Sequence, residues 1–440
     1  MALFGTDGVR GIANRDLTAE LALDLAVAAA HVLGEVGAIS KNRPKAIVGQ
    51  DSRASGEFLE AAIVAGLASA GVDVYKVGVL PTPAIAHLVA TSGADLGVMI
   101  SASHNPMPDN GIKFFAKGGG KLDDSLEAAI EARLNEPWDR PTGRGVGRVI
   151  VDESAAERYI FHLLSSLKVN LSGLKLVVDC ANGAASEVAP EVYARAGAEV
   201  IAISNQPNGL NINENCGSTH LENLISEVKK HSADLGIAHD GDADRCLAID
   251  ASGRLIDGDF ILAILAKEMK VPTVVGTVMS NLGFIKAMSE NGISFEATSV
   301  GDRYVLEKML ANGHKLGGEQ SGHIILRDFA NTGDGLLTAL QLMSVMAGQK
   351  KSLAQLAEIM ERFPQVLLNI KDVDKSKLST SKALASAVSQ FEDELGTSGR
   401  ILLRASGTEP LVRVMVEAST LSQAEEIAEK LGALVKSELS

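Results

Sequence analysis

The stretch "AIVGQDSRASGEFLEAAIVAGLASAGVDVYKVG", Ala46 to Gly78, carries the pattern that decides the fold. A short Val/Ile run is followed by a polar turn, an alanine-rich segment, a glycine stop at Gly71 and a second apolar run. This order predicts a strand, a helix and a strand, with the two strands parallel and the helix covering the sheet. The stretch therefore predicts one βαβ unit.

Two further stretches repeat this order. They are "KLVVDCANGAASEVAPEVYARAGAEVIAIS", which begins at Lys175, and "TVVGTVMSNLGFIKAMSENGISFEATSVG", which begins at Thr273. Such units in tandem predict three related α/β domains with mixed, mostly parallel sheets. Near the end of the chain, "RILLRASGTEPLVRVMVEAS" from Arg400 predicts two strands around a turn, and the residues after it predict a terminal helix. The tail therefore predicts a small C-terminal α+β domain.

The chain of 440 residues is too long for a single hydrophobic core, and its length fits about three or four domains. Segments rich in Pro and Gly near residue 140, and in Lys and Ser near residue 375, are candidate linkers. The predicted domains span residues 1–150, 151–253, 254–367 and 368–440.

Composition and charge exclude several classes of protein. Hydrophobic residues make up 46% of the chain and charged residues 22%, as in ordinary globular proteins. The net charge of −14 argues against nucleic-acid binding through charge alone, because a polyanion would be repelled. The apolar segment 18–34 carries acidic residues that exclude a membrane span, and it is predicted to be an amphipathic helix capped by Thr18. Three widely spaced cysteines favour a reducing cytoplasm over a zinc site or a disulfide framework: Cys180, Cys216 and Cys246.

A serine-rich loop interrupts the segment "MISASHNPMPDNGIKFF", Met99 to Phe115. The apolar run before it predicts a buried strand, and Pro106 and Pro108 prevent the chain from continuing as a helix. The loop from Ser101 to Asn105 is therefore predicted at the carboxyl end of a strand, where open α/β sheets usually place their chemistry.

Three aspartates alternate in "HDGDADR", between the apolar runs "LGIA" and "CLAID". In a flat strand Asp240, Asp242 and Asp244 would spread over roughly 13 Å, too far for one ion. We expect Gly241 to let the segment curl, so that the three carboxylates converge on one Mg²⁺. Arg245 stands where an EF-hand needs glycine, which excludes that motif. The alternative is a solvated acidic turn, which we rank lower because the carboxylates would repel one another.

The segment "GGEQSGH", Gly317 to His323, leads into another apolar run. Glu319 and Ser321 offer an acceptor and a donor that suit neighbouring sugar hydroxyls, and His323 could move protons near neutral pH. An ordinary hairpin turn explains this stretch equally well.

The segment "RASGTEPLVR" places Arg404 and Arg413 on either side of Ser406, Gly407 and Thr408. Guanidinium groups, hydroxyls and an accessible backbone N–H are the donors that bind a phosphate. The alternative is a tight turn with surface arginines.

Two other polar stretches are set aside as catalytic candidates. "KGGGKL", Lys117 to Leu122, lacks the spacing and the Ser/Thr of a nucleotide P-loop. Asp51 and Arg53 are interpreted as an internal pair that holds a loop.

The motifs "SASHNP", "DGDADR", "GEQSGH" and "RASGTEP", in this order, resemble those of the α-D-phosphohexomutases. The resemblance covers essentially the whole chain, and it implies four domains around a central cleft. The opening "FGTDGVRGIAN", Phe4 to Asn14, resembles the branch of that family that acts on glucosamine phosphates. Ala243 stands where many members have glycine, which changes no ligand.

The resemblance assigns a role to each motif. It implies that Ser103 carries a phosphoryl group and that Asp240, Asp242 and Asp244 bind one Mg²⁺ per chain together with that phosphoserine. Four nearby donors are expected to share in offsetting the negative charge of the phosphoryl group: Arg10, His104, Lys113 and Arg245. The candidates for acid and base are Lys113 and His323. Residues of two loops are expected to bind substrate: Glu319 and Ser321 at the sugar hydroxyls, and Arg404, Ser406, Gly407, Thr408 and Arg413 at the non-reacting phosphate.

The implied reaction interconverts glucosamine 6-phosphate and glucosamine 1-phosphate, with glucosamine 1,6-bisphosphate as intermediate and activator. Such an enzyme would be a cytoplasmic isomerase that supplies precursors of amino-sugar nucleotides and the cell wall. Its expected partner is a small sugar phosphate, with neither nucleic acid nor membrane, and the resemblance implies a homodimer.

Three alternatives remain open from the sequence. A phosphomannomutase/phosphoglucomutase uses the same chemistry, because nothing in "GEQSGH" distinguishes an amine from a hydroxyl. A metal-dependent sugar phosphatase also combines a serine with a metal. A non-catalytic sugar-phosphate-binding protein would need no metal site.

Overall fold

The computed structural model describes residues 3–5, 7–38, 43–405 and 411–440. The chain divides into two compact units. The first comprises Met1–Val278 and Ser294–Ala357, and the second comprises Met279–Ile293 and Glu358–Ser440.

The first sheet has seven strands in the order β1-β2-β6-β5-β3-β4-β7. They are β1 (Phe4–Gly5), β2 (Gly8–Ile12), β3 (Lys45–Gln50), β4 (Asp73–Val79), β5 (Leu96–Ile100), β6 (Asp109–Ala116) and β7 (Val149–Val151). The helices of this segment are α1 (Ala19–Glu35), α2 (Gly56–Ser69), α3 (Thr82–Thr91) and α4 (Asp124–Ala132). Strand β3 pairs in parallel with both β4 and β5, as the opening βαβ pattern predicts.

The second sheet has five strands in the order β12-β11-β10-β8-β9. They are β8 (Lys175–Asp179), β9 (Glu199–Ile203), β10 (Leu235–Ala238), β11 (Leu247–Asp250) and β12 (Leu255–Ile256). The helices of this segment are α5 (Ala155–Ser165), α6 (Val188–Arg195) and α7 (Glu222–His231). Strands β8, β9 and β10 are parallel, and β11 returns antiparallel to β10.

The third sheet has four strands in the order β14-β13-β15-β16. They are β13 (Thr273–Thr277), β14 (Ser294–Thr298), β15 (Leu316–Gly318) and β16 (Ile324–Leu326). The helices of this segment are α8 (Gly258–Met269), α9 (Leu282–Glu290), α10 (Asp302–Asn312), α11 (Gly335–Gln349) and α12 (Leu353–Leu356). Of these helices, α9 belongs to the second compact unit.

The fourth sheet is antiparallel and belongs to the second unit, with the order β17-β19-β18. Its strands are β17 (Gln365–Lys371), β18 (Arg400–Ala405) and β19 (Leu411–Glu417), and the helices of the tail are α13 (Lys382–Leu395) and α14 (Leu421–Leu439). The core of this unit lies between the sheet and α14, where Val414, Val416, Ile427 and Leu431 are buried. Three tandem α/β domains with mixed sheets and a small α+β tail are therefore confirmed.

The predicted helix near the N-terminus is also confirmed as α1. The Thr18 hydroxyl accepts a hydrogen bond from the Leu21 N–H and so caps the first turn. Leu25 and Val32 are buried on the face that contacts the core of the first sheet. Across the described ranges, every helix is too short or too polar to cross a membrane.

Candidate active site

Three of the four sequence motifs occupy the same position in three successive sheets. Each connects a strand with a parallel neighbour on one side to an antiparallel strand on the other: β5 to β6, β10 to β11, and β15 to β16. All three loops belong to the first compact unit. They supply the serine, the aspartates and the Glu-Gln-Ser segment.

Ser103 lies in the loop after β5 and is 1% exposed. Its φ of +53° is in the left-handed region, which a residue with a side chain rarely adopts. The loop is fixed from within, because the Ser103 N–H donates to the Ser101 hydroxyl at 2.9 Å. The Ser101 hydroxyl donates in turn to Asp51 at 2.6 Å. Ser101 therefore supports Ser103.

The Asp51–Arg53 pair holds this loop, as interpreted from the sequence. Both side chains are buried, and Arg53 Nε lies 3.0 Å from an Asp51 carboxylate oxygen. The Arg53 guanidinium donates to the backbone carbonyls of Ser103 at 3.0 Å, Asn105 at 2.8 Å and Pro106 at 2.7 Å. Its five donors in a rigid fork suit it to this task.

The three aspartates converge, as predicted. One carboxylate oxygen from each of Asp240, Asp242 and Asp244 lies within 4.8 Å of those from the other two, and all three residues are buried. The Ser103 hydroxyl donates to Asp240 at 2.5 Å. The predicted serine loop and metal loop therefore meet at one point.

Gly241 was expected to let the metal loop curl through its backbone freedom, and the structure gives it a different role. The residue of this loop with a left-handed backbone is Ala243, at φ +57°, and Gly241 is not among the glycines with a positive φ. Gly241 is needed for close approach, because a Cβ atom there would lie 2.6 Å from the Ser103 carbonyl oxygen. The missing side chain lets the metal loop contact the serine loop.

Burial and mutual repulsion govern the charges of the aspartates. Burial, with the neighbouring Asp242 carboxylate, raises the pKa of Asp240 to about 6. Burial, with the carboxylates of Asp242 and Asp240, raises the pKa of Asp244 to about 8. Burial opposes the charge of Asp242 as well, but the Lys113 ammonium outweighs it and holds the pKa of Asp242 below its usual range. Three ionised carboxylates at this spacing need more positive charge than Lys113 supplies.

The donor set fits a hard divalent cation. One oxygen each of Asp242 and Asp244 is buried and makes no hydrogen bond to any described residue. The other Asp242 oxygen accepts from Thr82 at 2.6 Å and from Lys113 at 2.8 Å, which fixes the carboxylate. Oxygen ligands are those that Mg²⁺ prefers.

A chain of ion pairs runs from Lys113 to Asp302, which lies beside His323. Lys113 lies 2.8 Å from Asp7, which also pairs with Arg10 and lies 2.6 Å from Lys121. Lys121 lies 2.5 Å from Asp302, whose carboxylate is 3.3 Å from His323 Nε2. Burial would lower the pKa of Lys113, but Asp242 and Asp7 outweigh it and raise that pKa well above the usual value. The structure thus brings together three of the residues predicted from the sequence: Arg10, Lys113 and His323.

His104 and Arg245 lie on either side of the serine and the aspartates. His104 Nδ1 is 3.3 Å from the Ser103 hydroxyl, and Arg245 Nε is 3.9 Å from carboxylate oxygens of both Asp240 and Asp244. Burial, with the charges of Arg245 and Arg10, lowers the pKa of His104 to about 4. His104 is therefore a neutral imidazole beside the free Ser103 hydroxyl, and its share in balancing the phosphoryl charge stays a prediction.

The Glu-Gln-Ser loop packs directly on the metal loop. A backbone bridge pairs Arg245 with His323, and a Cβ atom at Gly322 would lie 2.4 Å from the Cys246 carbonyl oxygen. Glu319 accepts a hydrogen bond from the Gly301 N–H at 3.1 Å. Glu319 and Ser321 are both partly exposed.

The fourth motif lies in the second unit. Arg404 and Arg413 are directly opposite each other in the β18–β19 pair. Burial, with the charge of Arg413, lowers the pKa of Arg404. Like charges across a strand pair are destabilising, so this pair favours a bound anion. Ser406, Gly407 and Thr408 lie outside the described residues.

Several polar residues of the site were not among the residues predicted from the sequence. Some are side chains that fix the predicted groups: Asp7, Thr82, Lys121, Asn213 and Asp302. Asp7 lies inside "FGTDGVRG", where two flanking glycines mark a loop, and Thr82 opens a helix after Pro81. Nothing in the sequence around Asn213 distinguishes it from its neighbouring asparagines.

Comparison with known families accounts for nearly the whole chain. Four family profiles match in order, described as phosphoglucomutase/phosphomannomutase α/β/α domains I, II and III and the C-terminal domain. They match residues 1–139, 157–253, 257–363 and 367–433.

Individual proteins are similar over their full length. A phosphoglucosamine mutase of Streptomyces griseus is 62% identical over 448 residues, with 99% of each chain covered. One of Thermobifida fusca is 60% identical over 444 residues, covering 100% of this chain and 99% of its own. The crystal structure of a phosphoglucomutase/phosphomannomutase family protein from Burkholderia thailandensis superposes with a TM-score of 0.83 at 25% identity, covering 100% of this chain and 98% of its own.

Proposed function

The chain belongs to the phosphoglucosamine mutase branch of the phosphoglucomutase/phosphomannomutase family, a group of isomerases that work by phosphoryl transfer, and we propose that Ser103 is the phosphoryl carrier. The proposed reaction interconverts glucosamine 6-phosphate and glucosamine 1-phosphate. The observation that carries this proposal is the 2.5 Å hydrogen bond from the Ser103 hydroxyl to Asp240, within a buried aspartate triad.

The proposed metal is one Mg²⁺ per chain, held by Asp240, Asp242, Asp244 and a phosphate oxygen on Ser103. Support comes from the two buried carboxylate oxygens that have no hydrogen bond to a described residue. A bound Mg²⁺ would offset negative charge and polarise the transferring phosphoryl group.

In the first transfer, phospho-Ser103 faces the free hydroxyl at the first carbon of glucosamine 6-phosphate. The bond between phosphorus and Ser103 Oγ breaks, and a bond between phosphorus and the sugar oxygen forms. The sugar hydroxyl gives up its proton, and Ser103 Oγ gains one. The product is glucosamine 1,6-bisphosphate, which we propose as the intermediate and the activator.

In the second transfer, the intermediate presents its other phosphate. The bond between phosphorus and the oxygen at the sixth carbon breaks, and a bond between phosphorus and Ser103 Oγ forms. The Ser103 hydroxyl gives up its proton, the sugar oxygen takes one, and glucosamine 1-phosphate leaves. The non-reacting phosphate needs a site that accepts either end. We assign this to Arg404 and Arg413 with Ser406, Gly407 and Thr408, and the sugar hydroxyls to Glu319 and Ser321.

Proton transfer is assigned to two groups from their surroundings. Lys113 lies between the carboxylates of Asp242 and Asp7, which favour its charged form, so we assign it as a charge partner for the phosphoryl group and keep it as one of two candidates for proton transfer. His323, whose Nε2 lies 3.3 Å from the Asp302 carboxylate, is the other candidate for proton transfer. Arg10 and Arg245 add positive charge, and neutral His104 offers one N–H to Ser103.

The proposal extends to the setting of the enzyme. The reduced cysteines favour the cytoplasm, where the product would supply amino-sugar nucleotides and cell-wall precursors. A homodimer is proposed as its assembly, which sedimentation velocity would measure against the single-chain mass of 46.0 kDa.

Peptide mass spectrometry of the purified protein tests the assignment of Ser103. We expect one phosphoryl group on the segment 101–113, located on Ser103. Ser103→Ala should abolish turnover, whereas Ser101→Ala should only weaken it, because Ser101 acts through the Ser103 N–H. Near-normal activity of Ser103→Ala would overturn the assignment.

Two kinetic measurements separate the alternatives. Comparing kcat/KM on glucosamine 6-phosphate and glucose 6-phosphate distinguishes this branch from a phosphomannomutase/phosphoglucomutase. Release of inorganic phosphate at the rate of substrate turnover would instead indicate a sugar phosphatase. A protein that binds sugar phosphate but never carries phosphate on Ser103 would be a non-catalytic binding protein.

A further inference from the structure

Two side chains bind the same pair of backbone carbonyls in the serine loop. Arg53 Nη2 donates to the carbonyl oxygens of Ser103 and Asn105 at 3.0 and 2.8 Å. Asn213 Nδ2 donates to the same two oxygens at 2.9 and 3.0 Å. Each carbonyl oxygen thus accepts two hydrogen bonds, which uses both of its lone pairs.

The two donors come from different segments of the first unit. Arg53 follows β3 in the first sheet, beside the serine loop. Asn213 lies between β9 and α7, in the segment that carries the metal loop, and its N–H donates to the Ala181 carbonyl. A Cβ atom at Gly241 would lie 2.9 Å from Asn213 Nδ2, so the amide also packs against the metal loop. Asn213 therefore contacts both loops.

The conformation that these bonds hold is an unfavourable one. A left-handed backbone is sterically unfavourable for a residue with a side chain. Ser103 nevertheless adopts it, and this conformation goes with a hydroxyl directed at Asp240. Hydrogen bonds to the Ser103 carbonyl are suited to maintaining it, because rotation of the backbone would move that oxygen away from both donors.

We propose that Asn213 is a positioning residue that sets the distance between Ser103 Oγ and the aspartate triad. This inference rests on the proposed role of Ser103 as phosphoryl carrier. Arg53 holds the loop from its own sheet, and Asn213 locks it against the metal loop.

The proposal predicts a specific kinetic effect. Asn213 is not among the residues assigned to bind the sugar hydroxyls or the non-reacting phosphate, and its bonds to the serine loop go to backbone carbonyls, so its loss should leave KM near the wild-type value. A displaced Ser103 would slow both phosphoryl transfers. Misplacement by about 1 Å can reduce a rate by about 100-fold, so we expect kcat to fall by about 10- to 100-fold.

Two variants remove the amide without straining the backbone. Asn213 has a φ of +58°, which glycine adopts freely, so Asn213→Gly deletes the side chain alone. Asn213→Asp keeps the shape but replaces the donor with an acceptor that faces two carbonyls. The matched control is Asn215→Gly, because Asn215 is exposed in the same loop with a φ of +52°.

The measurements are kcat and KM for each variant, with the Mg²⁺ affinity of the dephosphorylated protein by isothermal titration calorimetry. Asn213→Gly should lower kcat as stated, keep KM, and bind Mg²⁺ as tightly as the wild type, because the three aspartates are untouched. Asn213→Asp should also lower kcat, and Asn215→Gly should match the wild type. A merely structural role would instead weaken Mg²⁺ binding and substrate binding together.

Either of two outcomes would overturn the proposal: an unchanged kcat in both Asn213 variants, or a loss confined to KM. Detecting phosphate on Ser103 of the wild-type protein distinguishes failure of the positioning role from failure of the proposed function. If the wild type never carries it, the carrier assignment fails. If the wild type carries it and the variants turn over normally, the positioning role alone fails.

Discussion

Ser103 in the serine loop and Ala243 in the metal loop both have left-handed backbones. Each belongs to a short loop whose ends are fixed by paired strands, so neither can relax without moving its sheet. Strain of this kind is tolerated at functional sites when the surroundings over-determine the conformation. Around Ser103 that role is taken by hydrogen bonds that Arg53 and Asn213 donate to its carbonyl, and by the bond that its N–H donates to the Ser101 hydroxyl.

The contact at Gly241 gives a prediction at the residue scale. In Gly241→Ala the added methyl group would lie 2.6 Å from the Ser103 carbonyl oxygen and 2.9 Å from Asn213 Nδ2. Because the neighbours are held by several hydrogen bonds, we expect the two loops to separate, with a loss of about 1–3 kcal/mol in unfolding free energy. Activity and Mg²⁺ affinity should both fall.

Gly348→Ala is the matched control for this change. Gly348 lies in helix α11, and no atom is within 4 Å of a Cβ built there. The same substitution should stabilise the protein by about 0.5–1 kcal/mol. Denaturant unfolding and calorimetry measure both effects. Wild-type Mg²⁺ affinity in Gly241→Ala would show that the loops do not need this close approach.

The residues that sequence reasoning could find are those whose chemistry conflicts with their surroundings. Three aspartates between buried strands need an explanation wherever they occur, so Asp240, Asp242 and Asp244 could be predicted as a group. Asn213 could not, because an asparagine in a polar loop is ordinary until its amide is seen between two carbonyls. The role of Gly241 was assigned to backbone freedom, whereas the close approach depends on a partner loop about 140 residues away in sequence.

At the scale of elements, the site is assembled from the same hairpin in three sheets. The direction of β6, β11 and β16 follows from the length of the loops that precede them. A parallel connection needs a dozen or more residues, and these loops are shorter, so the return strand must be antiparallel. That signal was present in the sequence. The order of the strands across each sheet could not be predicted from the sequence, because it depends on pairing between segments far apart in the chain.

Helix α3 contacts the metal loop at its start and helix α5 further along. At its start, Thr82 donates to Asp242. Further along, the His87 ring stacks on His162 of α5, with ring centroids 3.9 Å apart. Burial, with the charges of His162 and Arg158, lowers the pKa of His87 to about 4, and burial lowers the pKa of His162 as well.

The stack predicts acid sensitivity. The pKa of His87 is lower in the folded protein than the usual value of about 6.5 in the unfolded chain. Its contribution to stability is therefore complete above pH 6.5 and is lost as the pH falls toward 4. After allowance for its partial exposure, we expect a loss of roughly 1–2 kcal/mol. His87→Phe keeps a ring in place and should flatten the fall of the unfolding midpoint between pH 7 and 5.

The control for this prediction is His220→Phe, which removes an exposed histidine. Thermal unfolding at a series of pH values compares the three proteins. A wild-type pH dependence in His87→Phe, or the same flattening in His220→Phe, would show that the stack is not the source.

At the scale of the whole molecule, the two compact units carry different parts of the proposed chemistry. The aspartates, Ser103 and Lys113 all lie in the first unit, and Arg404 and Arg413 lie in the second. Repetition of the βαβ pattern was enough to predict three related domains. The domain limits at residues 150, 253 and 367 stay predictions, because composition marks a linker without showing which contacts cross it.

This separation predicts how Mg²⁺ affects unfolding. Ligands that bind only the folded state stabilise it, by about 2.7 kcal/mol at 100 times the dissociation constant. Because all of the proposed ligands belong to the first unit, Mg²⁺ should raise the midpoint of its calorimetric transition by a few degrees, and EDTA should reverse the shift. The transition of the second unit should stay in place. In Asp242→Asn the shift should disappear, while the exposed control Asp328→Asn should keep it. A shift that survives in Asp242→Asn, or that moves the second unit alone, would place the metal elsewhere than the triad.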